Sequence, residues 1–560
     1  MSTIKNKHYL SWIFRKIRRR IPAIVFAGVL SAAVAYADVR FSLTTKSVVN
    51  NAIGGDLNGL KVSCIALIVL TLFRLFGNML NQFLSVNLRE RLERDFKHSV
   101  LHVILRCDYS SISHHHSGDL IQRMDADSAA IYNGVLSFSS GITSTFTSLV
   151  ASVVALMQIA PDFTLICGGV GILLGSTAML FRKALKRLSK QSSAANGRVS
   201  GFFHETISKL MVIQALDVAP EVERRTELAL EERWDVRRRQ RNVQLLSQFG
   251  FSAVSGVSYL ITMLWCAGKL FSGQITYGDV TAMVSLVGMV RSSATTLPRT
   301  LPRLFTITAS CDRIMELEEL PRQQDPDKEK VRSLYSSLTG FTANHLTFAY
   351  DREPVMRDVT LTVPKGSLTV IVGPSGIGKS TLLKLLLGLY RPDSGTLVID
   401  TPDGAIPVDR GTRSLFCYAP QGNFLLSGTL RENLTYTNPQ ATDEQLREAL
   451  FVSAMDEYVA SLPEGLETVL QENGAGLSEG QAQRISLARA ILSGAPVLLL
   501  DEVTSALDAV TERIVLERIC ALPGKTCIAV THRPAALELA DHVLEVTQEG
   551  MTLRTANSCG

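Results

Sequence analysis

The sequence predicts a multidomain protein in which an all-α membrane domain of six helices is followed by an α/β domain. The first observation is that long apolar runs recur between residues 21 and 317 and then stop. The second is that residues 341–560 alternate β-branched runs with amphipathic helical patterns, as soluble α/β domains do. Hydrophobic residues make up 46% of the 560 residues and charged residues only 19%, an apolar excess that favours membrane-embedded segments.

The N-terminal segment predicts which side of the membrane the chain starts on. The first twenty residues, MSTIKNKHYLSWIFRKIRRR, contain seven Lys or Arg and no acidic residue, which is typical of the cytosolic side. Their apolar residues predict an amphipathic helix on the membrane lipids over residues 1–20. A cleaved signal peptide is the alternative, but no clear cleavage site follows the first apolar run and further spans do. The net charge of +5 is too small to indicate a nucleic-acid partner.

Six apolar runs within residues 21–317 are long enough to cross a bilayer. They lie at about 21–47, 59–86, 134–159, 161–182, 245–271 and 278–298. An even number of spans returns both termini to the cytosol, so we expect a multi-pass protein of the cell (plasma or inner) membrane. The charged stretches 87–133 and 183–243 predict helices that continue into the cytosol, and residues 318–340 form a polar linker.

Arginines within the spans have two interpretations. Arg74 lies in the middle of the second span, and Arg291, Arg299 and Arg303 share one side of the last. One interpretation is a cavity that favours anionic or amphipathic cargo. We prefer the other, in which Arg299 and Arg303 lie beyond the bilayer and only Arg291 needs a partner within it.

Two clusters suggest a metal site or disulfides but have simpler explanations. Three adjacent histidines at 114–116 point in different directions on any regular element, which favours a solvated loop over a metal site. The nine cysteines show neither a paired framework nor metal-ligand spacing, so we interpret them as reduced thiols.

A glycine-rich loop between a strand and a helix is the most specific motif of the soluble half. In SLTVIVGPSGIGKSTLLKLLLGLY the P-loop spacing is complete, and its glycines allow backbone N–H groups to curl round phosphate oxygens. The motif predicts ATP and Mg²⁺ as ligands, with Lys379 on the β- and γ-phosphates and Ser380 on Mg²⁺. We assign ATP contacts to Gly373, Pro374, Ser375, Gly376, Gly378, Lys379, Ser380 and Thr381.

A second strand, APVLLLDE, ends in two acidic residues. Its apolar run fits a buried parallel strand, which places Asp501 to hold Mg²⁺ through water and Glu502 to orient or polarise the attacking water. His532 follows a further β-rich run and is a candidate contact for the γ-phosphate, although a lone histidine is more often structural.

These motifs, in this order, resemble the nucleotide-binding domain of an ATP-binding cassette (ABC) protein, over residues 341–560. The resemblance implies that Tyr350 stacks on adenine, that Gln421 touches Mg²⁺ and senses the membrane domain, and that His532 is the switch histidine. It implies a helical subdomain at about 430–490 and a contact with coupling helices at QENGAG, residues 471–476. It also implies a signature that contacts the partner's ATP through Ser478, Glu479, Gly480 and Gln481, and a D-loop with Ser505 and Asp508.

The membrane half is similar to the exporter half-transporters of the same family in its six spans and long cytosolic extensions. The resemblance implies an ATP-driven exporter of a drug, lipid or peptide that works by alternating access as a dimer. Coupling segments are expected near His116–Asp119 and Glu205–Ala215. No solute-capturing domain accompanies the spans, which favours export over import. An ATP-gated channel or sensor with little turnover is the alternative.

The signature departs from the usual Leu-Ser-Gly-Gly-Gln because Glu479 replaces the first glycine. Ser478 and Gln481 predict a capping box, and an acid at the first helical position gains about 0.3–1 kcal/mol from the helix dipole. Repulsion of the partner's ATP is the other effect, at roughly 0.7–3 kcal/mol for a separation of about 6 Å. Heterodimers of the family often pair a chain that has an altered signature and an intact catalytic glutamate with a chain that shows the reverse. This chain fits the first description, which makes a heterodimer an alternative, but a homodimer remains favoured.

Overall fold

The computed structural model describes residues 2–115, 117–322, 328–350, 354–422, 424–471, 476–547 and 550–555. The chain forms two compact units. The first, the membrane unit, comprises Met1–Val103 and His116–Glu319. The second, the nucleotide unit, comprises Ile104–His115 and Leu320–Gly560, so a short segment from the N-terminal half of the chain is part of it.

The described residues of the membrane unit form helices joined by short turns, and they include the six long helical rods that the sequence predicts. The third rod is continuous from residue 117 to 159 and contains two π-helical turns, at Arg123–Asp127 and Ser137–Ile142. The helices are Ser2–Ile17 (α1), Ile21–Ile53 (α2), Leu57–Arg106 (α3), Tyr109–Ile112 (α4, in the nucleotide unit), Ser117–Gln122 (α5), Ser128–Leu136 (α6), Thr143–Ile159 (α7), Pro161–Ser208 (α8), Leu210–Ala215 (α9), Ala219–Phe271 (α10) and Tyr277–Glu319 (α11), with a 3₁₀ turn at Arg18–Arg20.

Four stretches of described helix are long and apolar enough to cross a membrane: Tyr9–Ile53, Leu57–Arg106, Ser117–Ile159 and Ala219–Phe271. The rods α8 and α11 are of similar length, at 48 and 43 residues. Each rod exceeds the ~20 residues that a bilayer requires, so the helices extend well beyond it, as the charged stretches predict.

The N-terminal helix α1 is attached to the end of α11. The indole of Trp12 is buried and donates a 2.8 Å hydrogen bond to Glu318, and the Tyr9 hydroxyl donates one of 2.5 Å to Asp312. Leu10 and Phe14 remain exposed. The predicted helix is therefore present. One of its apolar residues, Trp12, packs against protein, while Leu10 and Phe14 lie on an exposed face.

Two arginines inside the rods contact groups on neighbouring helices. Arg74 forms an ion pair with Asp38 of α2 and lies 4.5 Å from the centre of the Phe41 ring. Arg291 donates to the Ser255 carbonyl at 3.5 Å. The sequence interpretation missed Asp38 as the partner of Arg74, and the Arg299 side chain lies outside the described part of the structure.

The pair α8 and α10 forms a long antiparallel arm, closed at its tip by α9. Arg198 of α8 forms an exposed ion pair with Glu232 of α10 at 2.5 Å, so these two positions lie side by side in the arm. The α9 tip exposes Leu210, Met211 and Val212 to solvent.

The nucleotide unit contains a six-stranded sheet, a four-stranded antiparallel sheet and a two-stranded ribbon. Its strands are Gly340–Ala349 (β1), Pro354–Pro364 (β2), Leu368–Val372 (β3), Ser394–Thr401 (β4), Gly404–Pro407 (β5), Phe416–Ala419 (β6), Gly428–Thr429 (β7), Val469–Leu470 (β8), Val497–Asp501 (β9), Thr526–Val530 (β10), His542–Thr547 (β11) and Gly550–Thr555 (β12). Its further helices are Lys328–Ser337 (α12), Lys379–Leu386 (α13), Leu430–Thr435 (α14), Asp443–Val452 (α15), Asp456–Ser461 (α16), Glu479–Leu492 (α17), Ala509–Cys520 (α18) and Pro534–Leu539 (α19), with 3₁₀ turns at Arg410–Leu415 and Gly465–Glu467.

The six-stranded sheet has the order β12-β11-β3-β10-β9-β6, and only β12 is antiparallel to its neighbour. Strands β9 and β10 are buried at every residue because they lie in the middle of the sheet. The carboxyl ends of β3, β9 and β10 are adjacent, since Val530 pairs with both Ile371 and Asp501. This edge is where ligands bind in open parallel sheets.

A separate helical subdomain, as predicted, is formed by α14 to α17. Its own core contains Leu430, Leu446, Met455 and Ile485, all fully buried. The apolar face of α17 belongs partly to this core and partly to the core beneath the sheet, through Leu487. The start of α17 is thereby fixed relative to the sheet.

Candidate nucleotide-binding site

The P-loop connects β3 to α13 in a conformation that requires glycine. Gly373 and Gly378 have φ values of +148° and +107°, in the region that L-residues rarely adopt. A Cβ at Gly373 would lie 2.4 Å from the Val546 carbonyl oxygen. Gly378 provides no side-chain cap to α13, which leaves the first N–H groups of the helix available to an anion.

The Lys379 ammonium is directed into this loop. Its Nζ donates hydrogen bonds of 2.7 Å to the Gly373 carbonyl and 2.9 Å to the Pro374 carbonyl, and the side chain is buried. The charge therefore lies inside the ring of backbone atoms that would surround phosphate oxygens.

Asp501 ends β9 with both carboxylate oxygens hydrogen-bonded. The Ser380 hydroxyl donates to Oδ1 at 2.9 Å, and the Tyr418 hydroxyl donates to Oδ2 at 2.8 Å. Burial raises the pKa of Tyr418, so the phenol keeps its proton as a donor. A serine hydroxyl and a carboxylate in contact are the hard oxygen ligands that Mg²⁺ prefers, so these residues fit the predicted ion.

Glu502 follows β9 in a left-handed conformation, with φ of +50°, and its N–H donates to the Val530 carbonyl at 2.9 Å. The Gln421 side-chain amide donates a 2.5 Å hydrogen bond to the Glu502 carboxylate. Gln421 is predicted to reach Mg²⁺; in the structure its amide nitrogen contacts the neighbouring acid, a bond that leaves its side-chain oxygen unused.

Tyr350 is held beside the P-loop helix by aromatic and polar contacts. Its hydroxyl lies 3.1 Å from that of Thr381, and its ring contacts Phe348 and Tyr390 edge to face at 5.1 and 5.2 Å. The ring is 40% exposed, so one side remains available for stacking on a base.

His532 follows β10 at the same edge of the sheet and is exposed. Among the described residues, no hydrogen bond to its ring is found. The next residue, Arg533, donates to the carbonyl of Ser505 and so connects this edge to the D-loop. The sequence interpretation missed Arg533.

The signature forms the start of α17, and the predicted capping box is confirmed. The Ser478 hydroxyl accepts from the Gln481 N–H at 3.3 Å, and Gln481 Oε1 accepts from the Ser478 N–H at 2.8 Å. Glu479 is the first helical residue and is exposed. A Cβ on Gly480 would lie 3.0 Å from the Ala506 carbonyl, so this glycine packs closely on the D-loop.

A buried glutamine connects the signature helix to the D-loop. Gln483 donates to the Ser505 hydroxyl and accepts from the Ala506 N–H, both at 3.4 Å. Asp508 ends the D-loop by capping α18, and N–H bonds from Thr511 and Val510 lower the pKa of its carboxyl. Gln483 was missed in the sequence, although a glutamine on the apolar face of a helix was the available signal.

The structure therefore brings the predicted residues together in two groups. Lys379, Ser380, Asp501 and Glu502 lie at the P-loop edge of the sheet with Gln421, while the signature residues lie at the start of α17. Among the described residues, no hydrogen bond joins the P-loop to the signature.

The segment Ile104–His115, in the nucleotide unit, lies just before the expected first coupling segment. The Asp108 N–H donates to the Pro321 carbonyl at 3.0 Å, and the Tyr109 ring contacts Tyr390 edge to face at 5.6 Å. Asp119 instead pairs with Arg123 in the membrane unit at 2.8 Å. The residues of this region that contact the rest of the nucleotide unit therefore come before Asp119 in the chain.

Some predicted features lie outside the described residues. These are His116 and most of the QENGAG loop, at 472–475. The parts of the chain that the structure does describe contain no cluster of three His, Cys, Asp or Glu side chains able to hold a metal ion.

Comparison with known proteins follows the same division of the chain. Residues 24–293 match the ABC transporter transmembrane region, and residues 356–505 match the ABC transporter domain. The mycobactin import ATP-binding/permease protein IrtB of Mycolicibacterium smegmatis is 33% identical over 399 residues, which are 70% of this chain and 68% of the relative. A fatty acid ABC transporter ATP-binding/permease protein of Mycobacterium bovis is 28% identical, over 79% of this chain and 69% of the relative.

The fold is shared with a bacterial Atm1-family ABC exporter solved with ATP bound, at a TM-score of 0.81 and 20% identity, over 97% of this chain and 96% of the other. Motifs, fold and relatives agree in one assignment. The chain belongs to the ABC transporter family, as a multi-pass half-transporter in which a transmembrane region and an ATP-hydrolysing domain share one polypeptide.

Proposed function

We propose that the chain works as one half of a dimeric ATP-driven transporter that moves an amphipathic molecule, a drug, lipid or peptide, by alternating access. The observation that carries the proposal is the separation of the P-loop group from the signature within one chain. A complete ATP site would then need the P-loop of one chain and Ser478 to Gln481 of another. ATP binding would draw the two nucleotide units together, and hydrolysis would release them.

The residues at the sheet edge support hydrolysis as the chemical step. The α13 N–H groups and the Lys379 ammonium would hold the phosphates. Ser380, Asp501 and Gln421 would hold Mg²⁺, which when bound neutralises phosphate charge. Glu502 would orient the attacking water, and the exposed His532 would contact the γ-phosphate.

The α8–α10 arm supports the dimer. Its tip exposes a contiguous apolar set in which Leu210, Met211 and Val212 of α9 lie between Ile207 and Leu216. Apolar side chains at the end of a cytosolic arm need a protein surface to cover them. We assign this surface to the nucleotide unit of the partner chain, in agreement with the coupling segment expected at Glu205–Ala215.

A homodimer is the first candidate, with a heterodimer as the second because of Glu479. The exposed carboxylate at the start of α17 would face the partner's ATP. Copurification of two differently tagged copies of this chain supports the homodimer, and their failure to associate would favour a heterodimer.

The direction of transport has two candidates. Export agrees with the Atm1-family exporter fold, whereas import is favoured by the name of IrtB, a mycobactin import protein. Uptake into inside-out vesicles on ATP addition indicates export, and uptake into right-side-out vesicles loaded with ATP indicates import. The basic segment Arg18–Arg20 supports cytosolic termini at a cell membrane.

One membrane-embedded arginine supports an anionic group on the cargo. Arg40 is exposed on α2, and among the described residues its guanidinium has no hydrogen bond or ion pair. An unpaired charge in a spanning helix is costly, which favours a role at a cargo-lined cavity.

The experiment that tests the proposal measures ATP turnover by the purified chain in liposomes. We expect Mg²⁺-dependent, vanadate-sensitive hydrolysis, lowered at least about 100-fold by Glu502→Gln because the water-orienting carboxylate is lost. Unchanged turnover in this variant would contradict the mechanism. Ion conductance gated by ATP without cargo movement would favour the channel or sensor alternative.

A further inference from the structure

Tyr418 lies on β6, the strand next to β9, and reaches across to the carboxylate of Asp501. Tyr418 pairs with Leu499 in the parallel register of the two strands. Side chains alternate along a strand, so Leu499 and Asp501 share one face of the sheet, and the tyrosine projects on that face. Its hydroxyl then reaches Asp501 Oδ2 at 2.8 Å.

The two oxygens of Asp501 have different kinds of partner. Oδ1 accepts from Ser380, a residue that the P-loop motif assigns to Mg²⁺, whereas Oδ2 accepts from Tyr418, which no motif assigns to the ion or to ATP. Asp501 is only 2% exposed, and a buried carboxylate is costly unless hydrogen bonds satisfy both of its oxygens. Of the two partners of Asp501, Ser380 is expected to bind Mg²⁺ itself, whereas Tyr418 contacts only the carboxylate.

Tyr418 also precedes Gln421 by three residues, and Gln421 donates to Glu502. The end of β6 and the turn after it therefore supply one donor to each of the two adjacent carboxylates. A hydroxyl bond to an ionised carboxylate is short and directional, which makes it suited to fixing the rotation of the side chain.

We propose that Tyr418 is a positioning residue for ATP hydrolysis, whose hydroxyl fixes the Asp501 carboxylate with Oδ1 directed to Ser380 and the Mg²⁺ position. The inference rests on the proposed role of Asp501. Without the hydroxyl, Asp501 keeps only the bond from Ser380, and the orientation of its oxygen toward the ion is held less strictly.

Tyr418→Phe tests the proposal, since it removes the hydroxyl and keeps the ring. The full chain is reconstituted in nanodiscs, and ATP turnover is measured against Mg²⁺ concentration at fixed ATP. The Mg²⁺ concentration for half-maximal turnover is expected to rise about 10- to 150-fold, the effect of losing one hydrogen bond to a charged group.

A second measurement does not depend on turnover. The melting temperature is compared with the non-hydrolysable analogue AMPPNP in EDTA and with AMPPNP plus Mg²⁺. Tyr418→Phe should shrink the increment that Mg²⁺ adds and leave the increment from AMPPNP in EDTA unchanged, because the phosphate contacts of the P-loop remain.

Tyr335→Phe is the matched control. It removes a tyrosine hydroxyl that lies 2.7 Å from the Thr526 hydroxyl in the same unit but contacts neither acid. If both variants change the Mg²⁺ response equally, or if Tyr418→Phe leaves both measurements at parental values, the proposal is wrong. Failure of the general mechanism is detected separately, by persisting turnover in Glu502→Gln.

Discussion

The amide of Gln421 donates a 2.5 Å hydrogen bond to the carboxylate of Glu502. Gln421 follows β6 and Glu502 follows β9, two neighbouring parallel strands. The residue expected to sense the membrane domain is thus in direct contact with the residue expected to orient water. A movement of the Gln421 loop would change the position of the Glu502 carboxylate.

Gln421→Ala should lower the maximal rate of ATP hydrolysis about 10-fold, because a hydrogen bond to a charged group contributes about 1.5–3 kcal/mol. The KM for ATP should stay within about twofold, since stacking and phosphate contacts are intact. Gln445→Ala is the control, as the side-chain oxygen of Gln445 also makes a local contact, accepting from the Thr442 N–H in the cap of α15. A change in KM alone would contradict the role of Gln421.

Glu479→Gly should raise ATP turnover about 3-fold or more, since it removes a negative charge that would face the partner's triphosphate. The same change should lower the melting temperature slightly, because the first turn of α17 loses a favourable acid. Glu444→Gly removes an acid from the first turn of α15, away from the nucleotide, and serves as the control. Equal turnover in Glu479→Gly and the parent would show that the carboxylate acts only on the helix.

Tyr350→Leu should raise the KM for ATP about 10-fold, the effect of losing stacking worth about 1–3 kcal/mol per base. Inhibition by inorganic tripolyphosphate, which has no base, should be unchanged. Tyr436→Leu, at an exposed position of the helical subdomain, is the control. Parallel weakening of ATP and tripolyphosphate would mean that Tyr350 supports the P-loop rather than the base.

Asp38→Asn should lower the melting temperature of the detergent-solubilised chain by about 5 °C, because Arg74 loses its ion-pair partner within the membrane-spanning region. Adding Arg74→Gln to this variant should recover part of the loss, since the unpaired charge is then also removed. Additive losses in the double variant would show that the two residues stabilise the helices independently.

Arg40→Gln should abolish most of the stimulation of ATP turnover by a fatty acid, while the basal rate stays at the parental value. Stimulation by a cationic amphiphile should be unaffected if the guanidinium recognises an anionic group. Arg225→Gln, in the charged N-terminal part of α10, is the control for a general loss of positive charge. Stimulation equal to that of the parent would remove Arg40 from the cargo site.

The sequence predicts local motifs well and contacts between distant strands poorly. The capping box of Ser478 and Gln481 is confirmed because its two residues are three apart and share one helix start. The P-loop is equally local, since strand, glycines and lysine follow each other directly.

Tyr418 and Asp501 are 83 residues apart, and only the order of β6 and β9 in the sheet brings them together. The same applies to Asp38 and Arg74, which lie on different helices. No spacing in one segment encodes such pairs, because register and helix packing are set by the whole core.

The inclusion of Ile104–His115 in the nucleotide unit has a practical consequence for protein engineering. A protease that cuts near residue 320 would release a fragment in which Tyr390 has lost its contact with Tyr109. A chimera with a related transporter would likewise have to exchange two stretches of chain, since replacing residues 320–560 alone would join a foreign surface to the native Tyr109 segment. Both operations fail for the same reason: the nucleotide unit is formed by two separate stretches of the chain, and residues 320–560 are only one of them.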